Sequence, residues 1–376
     1  MKKKICMLTS VHPAFDTRIF YKETKSLVKA GYDVTLIAPH THKETVDGVK
    51  ICPLPKPRNR LERMTKVLWK LFRLAITAKA DAYHFHDPEL IPIGLMLKIL
   101  GKKVIYDVHE NYREQIPSKD WIPKPFKKIV SILTGGIETL AARYFDAIIT
   151  VTEAIEKQFK EKTKTVILYN FPSLELFKST NPKIDNLFDI IHVGVLSRGR
   201  LAFIYSVALE LKKMGYEYKW CIIGMQSELK NWAEKKLNQK EFKKVKKDFV
   251  LMDRVEHKDL IKYLWKSKIG INYHPPEKRL LEAIPVKMFE YMACELPVVC
   301  SNLTVMRKFL ENENCVIFVK DNDIRQFANG IEYLLSHPKK AKEMGNNGRE
   351  VVFRKYNWDT EEKKLIALYK NFLKRK

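Results

Sequence analysis

Short apolar runs alternate with longer stretches whose apolar positions recur at helical spacing, and this alternation continues through nearly the whole chain. In the first half the runs predict strands over 5–9, 34–38, 82–85, 104–106, 147–151 and 165–168. Helices are expected over 17–30, closed by Gly31, and over 61–78, 90–100 and 126–144. Strands rich in Ile and Val, separated by helices, imply a parallel sheet covered on both faces. The alternation lapses from Asn170-Phe171-Pro172-Ser173 to Asn181-Pro182, a turn-rich stretch without a period. It resumes with strands at 190–193, 218–223, 269–272, 297–300 and 316–319, and with helices at 201–214, 324–335 and 358–376. The basic stretch 240–247 reads as a solvated helix or loop. The expected organisation is an α/β protein of two doubly wound domains: residues 1–170, a linker at 171–186, residues 187–355, and a closing helix at 356–376. Ligands of such sheets bind beyond the carboxyl ends of the strands, and between two domains the natural site is a cleft.

With 376 residues and 45% apolar content, the chain can fill two cores. Its charge narrows the choice of partner: 69 basic against 44 acidic residues give +25, which favours nucleic acid, phosphorylated ligands or an acidic membrane surface. None of the six cysteines forms a C-x-x-C pair, so buried free thiols in a reducing, cytoplasmic setting are expected and a zinc site is not. The start, Met1-Lys2-Lys3-Lys4 before Ile5-Cys6-Met7-Leu8, imitates a signal peptide, but Thr9, Ser10 and His12 interrupt the apolar part. No apolar run approaches the ~20 residues of a spanning helix, so the protein is expected to be soluble or peripheral.

Three loops that follow first-half strands carry imidazoles and carboxylates: His12 to Arg18 with Asp16, His84 to Glu89 with His86, and Tyr106 to Asn111 with His109 and Glu110. Asp16 is also a good helix N-cap. Convergence of such groups on one edge of a parallel sheet points to a site. The second half offers anion chemistry. Gly194-Val195-Leu196-Ser197-Arg198-Gly199-Arg200 turns from a strand into a helix, where backbone N–H groups and the Arg198 and Arg200 guanidiniums can meet phosphate oxygens. No G-x-G-x-x-G and no G-x-x-x-x-G-K-[ST] is present, which argues against a dinucleotide oxidoreductase and a P-loop NTPase. Farther on, Glu282 and Glu290 stand eight positions apart around Pro285 and Lys287, with Glu290 expected near the positive end of a helix. Cations that neutralise a diphosphate, a carboxylate for ribose hydroxyls and another for a sugar together suit a nucleotide diphosphate sugar. A diphosphate leaving group held by arginine and lysine needs no metal.

These residues resemble a family 4 glycosyltransferase of the GT-B fold. The block from Glu282 to Val299 resembles the family's E-x7-E element, and the Tyr106–Glu110 loop and the His12–Arg18 loop strengthen the likeness. The resemblance implies transfer of a sugar, with retention at its anomeric carbon, from a nucleotide diphosphate sugar to a hydroxyl, UDP being the commoner nucleotide. It implies two domains facing a cleft, the last helix packing back on the first domain, and no metal cofactor. Glu290 would hold the ribose, Glu282 would sit by the donor sugar, and Lys287 or the arginines would hold the diphosphate. His109 would touch the sugar near the reacting carbon, and Gly224 and Arg254 would lie near the base. His12, Asp16, Arg18, His86 and Glu110 are placed on the acceptor side. Three departures stand out: His12-Pro13-Ala14-Phe15-Asp16 replaces a diglycine loop, Val195 stands where arginine is usual, and Ala283 where glycine is.

Two segments mix basic and apolar residues, 57–80 and 121–129. Each can be a helix packed on the sheet with a solvated basic face, or a peripheral anchor on an anionic membrane that carries a lipid-linked acceptor. Rival readings are a sugar nucleotide epimerase of the same fold, a non-catalytic nucleotide-sugar binder and a nucleic-acid-binding protein. The last is disfavoured because the basic residues are dispersed and no binding motif is present.

Overall fold

A computed structural model describes residues 2–118, 122–159, 163–178, 186–277 and 282–374. The chain forms two compact units, Met1–Asn170 with Trp358–Lys376, and Phe171–Asn357. Strands of the first unit are β1 (Lys4–Leu8), β2 (Asp33–Pro39), β3 (Glu44–Val46), β4 (Val49–Leu54), β5 (Ala82–Phe85), β6 (Lys103–Val108), β7 (Ala147–Thr150) and β8 (Thr165–Ile167). They form one sheet in the order β3-β4-β2-β1-β5-β6-β7-β8, parallel except for the β3–β4 hairpin. That hairpin was not expected from the apolar pattern, yet its turn is Asp47-Gly48 with φ of 49° and 79°, the left-handed pair that a tight hairpin turn requires.

Helices cover both faces of this sheet. Residues 60–78, Ile91–Ile99 and Lys124–Ala142 lie on one side, burying Leu71, Ala75, Leu97 and Ala142 against Tyr83, Val104 and Ile148. Residues 19–29 and the last helix, Trp358–Lys374, lie on the other, with Phe20, Leu27, Leu365 and Leu368 packed against Met7, Leu36 and Ile149. The last helix is tied in by polar bonds too. Trp358 Nε1 donates to Ser26 Oγ at 2.9 Å, Lys103 Nζ to the Phe372 carbonyl at 2.7 Å, and the Tyr369 hydroxyl lies 3.0 Å from His84 Nδ1.

The second unit holds β9 (Phe188–Val193), β10 (Trp220–Met225), β11 (Phe249–Asp253), β12 (Ser267–Asn272), β13 (Val298–Ser301) and β14 (Val316–Val319), ordered β11-β10-β9-β12-β13-β14 and all parallel. The helices Arg198–Lys213 and Ile324–Ser336 share a core with Ile190, Trp220, Ile271 and Val299. Residues 171–178, expected as part of a linker, are instead packed into this unit. Phe171 and Phe177 are fully buried, Phe171 meets the rings of Phe289 and Tyr356, and the Phe177 carbonyl accepts from Arg349 at 3.1 Å. Burying three large apolar side chains in this stretch, Leu174 included, outweighs the turn-forming bias of Pro172 and Ser173. Residues 179–185 of the expected linker lie outside the described residues. No helix among the described residues is long and apolar enough to cross a membrane.

Trp358 anchors the returning helix, so Trp358→Ala should lower the stability of the first unit by about 3 kcal/mol. Urea denaturation followed by circular dichroism should show an earlier transition for that unit.

Candidate active site

Parallel strands put all their carboxyl ends on one edge. In the first unit the strand order reverses between β1 and β5, where a crevice is expected. The loops after β1, β5 and β6 carry the predicted polar residues to this point. Asp87 organises the outer part. Its carboxylate accepts from the Thr9 hydroxyl at 2.8 Å and the Ser10 N–H at 2.7 Å, while the Ser10 hydroxyl donates to Glu89 at 2.6 Å. His12 lies 3.5 Å from both Asp16 and Asp87, and its Nε2 is 3.2 Å from His109 Nε2. Burial works against a charged His12, but Asp16, Asp87 and Glu110 outweigh it and raise its pKa. Asp16 also accepts from the N–H groups of Arg18 and Ile19, capping the helical segment that follows, and its own pKa is depressed. Glu110 is exposed and accepts from Gln115.

Beneath this layer the picture departs from expectation. Arg18 and His86, read from the sequence as acceptor-side groups, are buried. Arg18 pairs with Glu23 and Asp107, each at 2.9 Å, and donates to the Leu168 carbonyl at 3.2 Å. His86 stacks on His84 with ring centroids 4.6 Å apart, and lies 3.5 Å from Asp107 and 3.6 Å from Glu23. Both residues therefore belong to an internal ion cluster. Desolvation dominates its titration. Burial holds His84 and His86 neutral and pushes the Glu23 carboxyl well up. It also opposes ionisation of Asp107, but there Arg18, His109 and His86 win and the pKa falls well below the usual carboxylate range. His109 reaches this cluster from above, with Nδ1 3.8 Å from Asp107.

Glu23, His84, His86 and Asp107 offer ligand atoms within 4.8 Å of one another, the geometry of a potential metal site. The Arg18 guanidinium already sits among them, 2.9 Å from both carboxyl groups, so the donor set fits an arginine-centred cluster better than a metal centre. A second group, His40, His42 and Glu44, is more exposed, with His40 Nε2 2.6 Å from Glu44.

In the second unit the order reverses between β9 and β12. Gly194 follows β9 and Gly224 lies near the end of β10, with φ of +108° and +107°; a Cβ on Gly224 would come within 2.9 Å of the Gly194 carbonyl oxygen. Ser197 caps the next helix by accepting from the Arg200 N–H, with Arg198 exposed in the first turn. Arg254 follows β11 and is exposed. From the β12 side come Glu282, in a part-exposed turn, and the helix Val286–Ala293. Lys287 Nζ lies 3.4 Å from His192 Nε2. Burial of its ammonium, reinforced by Arg200, lowers its pKa to about 7. Burial and Lys287 together keep His192 neutral.

Glu290 corrects a second expectation. It lies in the second turn, not at the helix start, so the helix dipole is not its main partner. Its carboxylate is 2.7 Å from His257 Nε2, at the start of the helix His257–Trp265. The helix Val286–Ala293 is fixed from below by its own Tyr291, whose hydroxyl accepts from the Val193 N–H at 2.8 Å and whose ring fills the space that a side chain at Gly270 would need.

Two family profiles match in tandem, Glycosyltransferase Family 4 over residues 17–175 and Glycosyl transferases group 1 over residues 175–351. The chain belongs to the family 4 glycosyltransferases. No curated protein matches the sequence of this glycosyltransferase. Among solved structures, sucrose-phosphate synthase from Thermosynechococcus elongatus superposes with a TM-score of 0.75 at 16% identity over 99% of both chains. Anabaena HepE in complex with UDP and glucose gives 0.72 at 14% identity over 98% of this chain and 100% of that one. WaaG, a glycosyltransferase involved in lipopolysaccharide biosynthesis, gives 0.67 at 12% over 97% and 99%. These likenesses establish the GT-B fold.

Sequence reasoning missed His257, His192 and Tyr291 of this glycosyltransferase. His192 is one residue from the end of its strand, and this placement was a usable signal. Nothing in the sequence pairs His257 with Glu290. Replacing Arg18 tests its reassignment. Arg18→Met leaves Asp107 charged without its main partner and should cost about 3 kcal/mol in stability, read by thermal denaturation, whereas His12→Ala, nearer the surface, should cost under about 1 kcal/mol.

Proposed function

We propose that this glycosyltransferase moves a sugar from a UDP-sugar to a hydroxyl acceptor with retention of anomeric configuration, and that it serves the assembly of cell-surface polysaccharide or glycolipid with a lipid-linked acceptor. The observation that carries the donor reading is the grouping of Gly194, His192, Lys287 and Glu290 where the strand order reverses in the second unit. In this reading Glu290 accepts hydrogen bonds from the ribose hydroxyls in place of His257. Lys287, Arg198 and Arg200 take the diphosphate, so its departure needs no metal ion. Gly194 and Gly224 keep the strand ends free of side chains, and Arg254 lies toward the base. HepE, a protein of the same fold, is described in complex with UDP and glucose, which supports a uridine donor, and WaaG acts in lipopolysaccharide biosynthesis, which supports the class of product.

His109 is assigned to the donor sugar. Its Nδ1 lies 3.8 Å from Asp107 and its Nε2 faces His12. Glu282 is assigned beside the same sugar. The favoured route is a same-face substitution in which the leaving phosphate accepts the acceptor's proton, with Glu282 stabilising positive charge on the ring; a covalent intermediate on Glu282 is the alternative. His12, Asp16 and Glu110 remain on the acceptor side. Arg18 and His86 act there only by holding Asp107.

Glu290→Ala should weaken UDP binding at least tenfold by calorimetry, while His109→Ala should lower kcat with UDP affinity nearly unchanged. Unaltered affinity in the Glu290 variant would remove the ribose assignment, and product formed from donor alone would indicate an epimerase. A second test uses protons. In the free protein Lys287 loses its proton near pH 7, and a bound diphosphate must raise that pKa. Binding at pH 8 should therefore take up close to one proton, and affinity should fall as pH rises above 7. Calorimetry in buffers of different ionisation enthalpy should show this uptake in the wild type and not in Lys287→Met.

A further inference from the structure

The helix Lys124–Ala142 is built inside out. Its buried positions are Ser131, Gly135, Glu138, Ala141 and Ala142, all small or polar. Its large apolar side chains point away from the core: Phe126, Ile129, Ile132, Leu133, Ile137 and Leu140 are each between 53% and 59% exposed. Phe126, Ile129, Leu133, Ile137 and Leu140 follow the three- and four-residue spacing of one helical stripe, which runs the length of the element. A helix that docks on a sheet in water normally shows the reverse arrangement. The single acid of this helix, Glu138, is turned inward, where it accepts from the Tyr106 hydroxyl at 2.5 Å, and burial raises its pKa to about 7. The exposed charges on the helix and just beyond it are all basic: Lys124, Lys128 and Arg143.

Neighbouring elements on the same face of the sheet continue the pattern. The helix Ile91–Ile99 ends with Ile99 and Leu100 exposed, and the 60–78 segment exposes Leu61, Met64 and Trp69 beside Lys66, Lys70 and Arg73. Of the five apolar positions in that segment that recur at helical spacing, only Leu68, Leu71 and Ala75 pack into the core.

We propose that the outer face of the helix Lys124–Ala142 docks on the surface of an anionic lipid bilayer, with its apolar stripe inserted among the acyl chains and the flanking lysines and arginine at the headgroups. A contiguous exposed stripe of large apolar side chains marks an interaction surface, and its basic rim, on a chain of net charge +25, complements acidic headgroups. The alternative occupant, a second copy of the chain, would bring like-charged rims together. The inference stands on the first unit alone and does not depend on the donor reading: lipid binding and UDP binding are separate measurements.

The test is co-sedimentation of the full chain with vesicles of phosphatidylcholine containing 30–40% phosphatidylglycerol, and with vesicles of phosphatidylcholine alone. The expected result is binding to the anionic vesicles at low salt, about tenfold weaker on phosphatidylcholine alone and weakened by 0.5 M salt. Leu133→Asp with Ile137→Asp should reduce binding at least tenfold and leave UDP affinity intact. Because both positions are solvent-facing, the thermal midpoint should not fall. Hydrogen exchange on the wild type, independent of any variant, should show slowed exchange in 124–142 when anionic vesicles are added. Equal vesicle binding by the double variant, no new protection in 124–142, or a wild-type dimer in light scattering that the double variant loses would each overturn the proposal.

Discussion

The buried guanidinium of Arg18 is the interaction on which the first unit's functional edge depends. One cation joins the segment after β1 to Glu23 on the following helical segment, to Asp107 at the end of β6 and to the main chain at Leu168 after β8. Without that charge, the Asp107 carboxylate at the centre of an α/β core would face two imidazoles that burial keeps neutral. With it, Asp107 stays ionised and presents a fixed negative group to the underside of His109. The largely buried His109 imidazole thus rests on a charge pair that solvent never reaches.

The second unit reaches rigidity by packing. Tyr291 occupies the space over Gly270 and reaches the end of β9 with its hydroxyl, so the helix bearing Lys287 and Glu290 is located by a large ring and one hydrogen bond. Burial of the Lys287 ammonium, reinforced by Arg200, depresses its pKa, the kind of perturbation that gathers at functional sites. His257 holds the Glu290 carboxylate at 2.7 Å across a sequence separation of 33 residues.

Most of the architecture was legible because parallel α/β folds write their strands as plain Ile/Val runs. Where the reading failed, a local rule was overruled or overlooked. The β3–β4 hairpin is short and only partly buried, so its apolar pattern is faint, although Asp47-Gly48 announces its turn. Residues near Phe171 look like a linker because Pro and Asn are frequent there, but burial of Phe171 and Phe177 decides their place. At the first sheet's edge, residue type and strand-end position were enough to predict that the His12 and His109 loops converge, and the two imidazoles lie 3.2 Å apart. Depth was not legible: Arg18 and His86 have the same composition signature as surface catalytic groups, and only the packing of Glu23 and Asp107 around them reveals that they are internal. Partnerships across long sequence separation, such as His257 with Glu290, leave no local trace at all.

The return of the last helix to the first unit has a consequence for the order in which the protein can form. The second unit, Phe171–Asn357, is an insertion in the first, and the chain passes from one to the other twice. During synthesis the inserted unit has its whole sequence available before the unit that began earlier. Until residues 358–374 emerge, His84 lacks its Tyr369 neighbour, Ser26 lacks the Trp358 indole, and one face of an eight-stranded sheet stays partly uncovered. The N-terminal half is thus the last to be finished, and a ribosome that stalls late in the message releases a chain with one complete unit and one exposed apolar surface, the kind of species that chaperones retain.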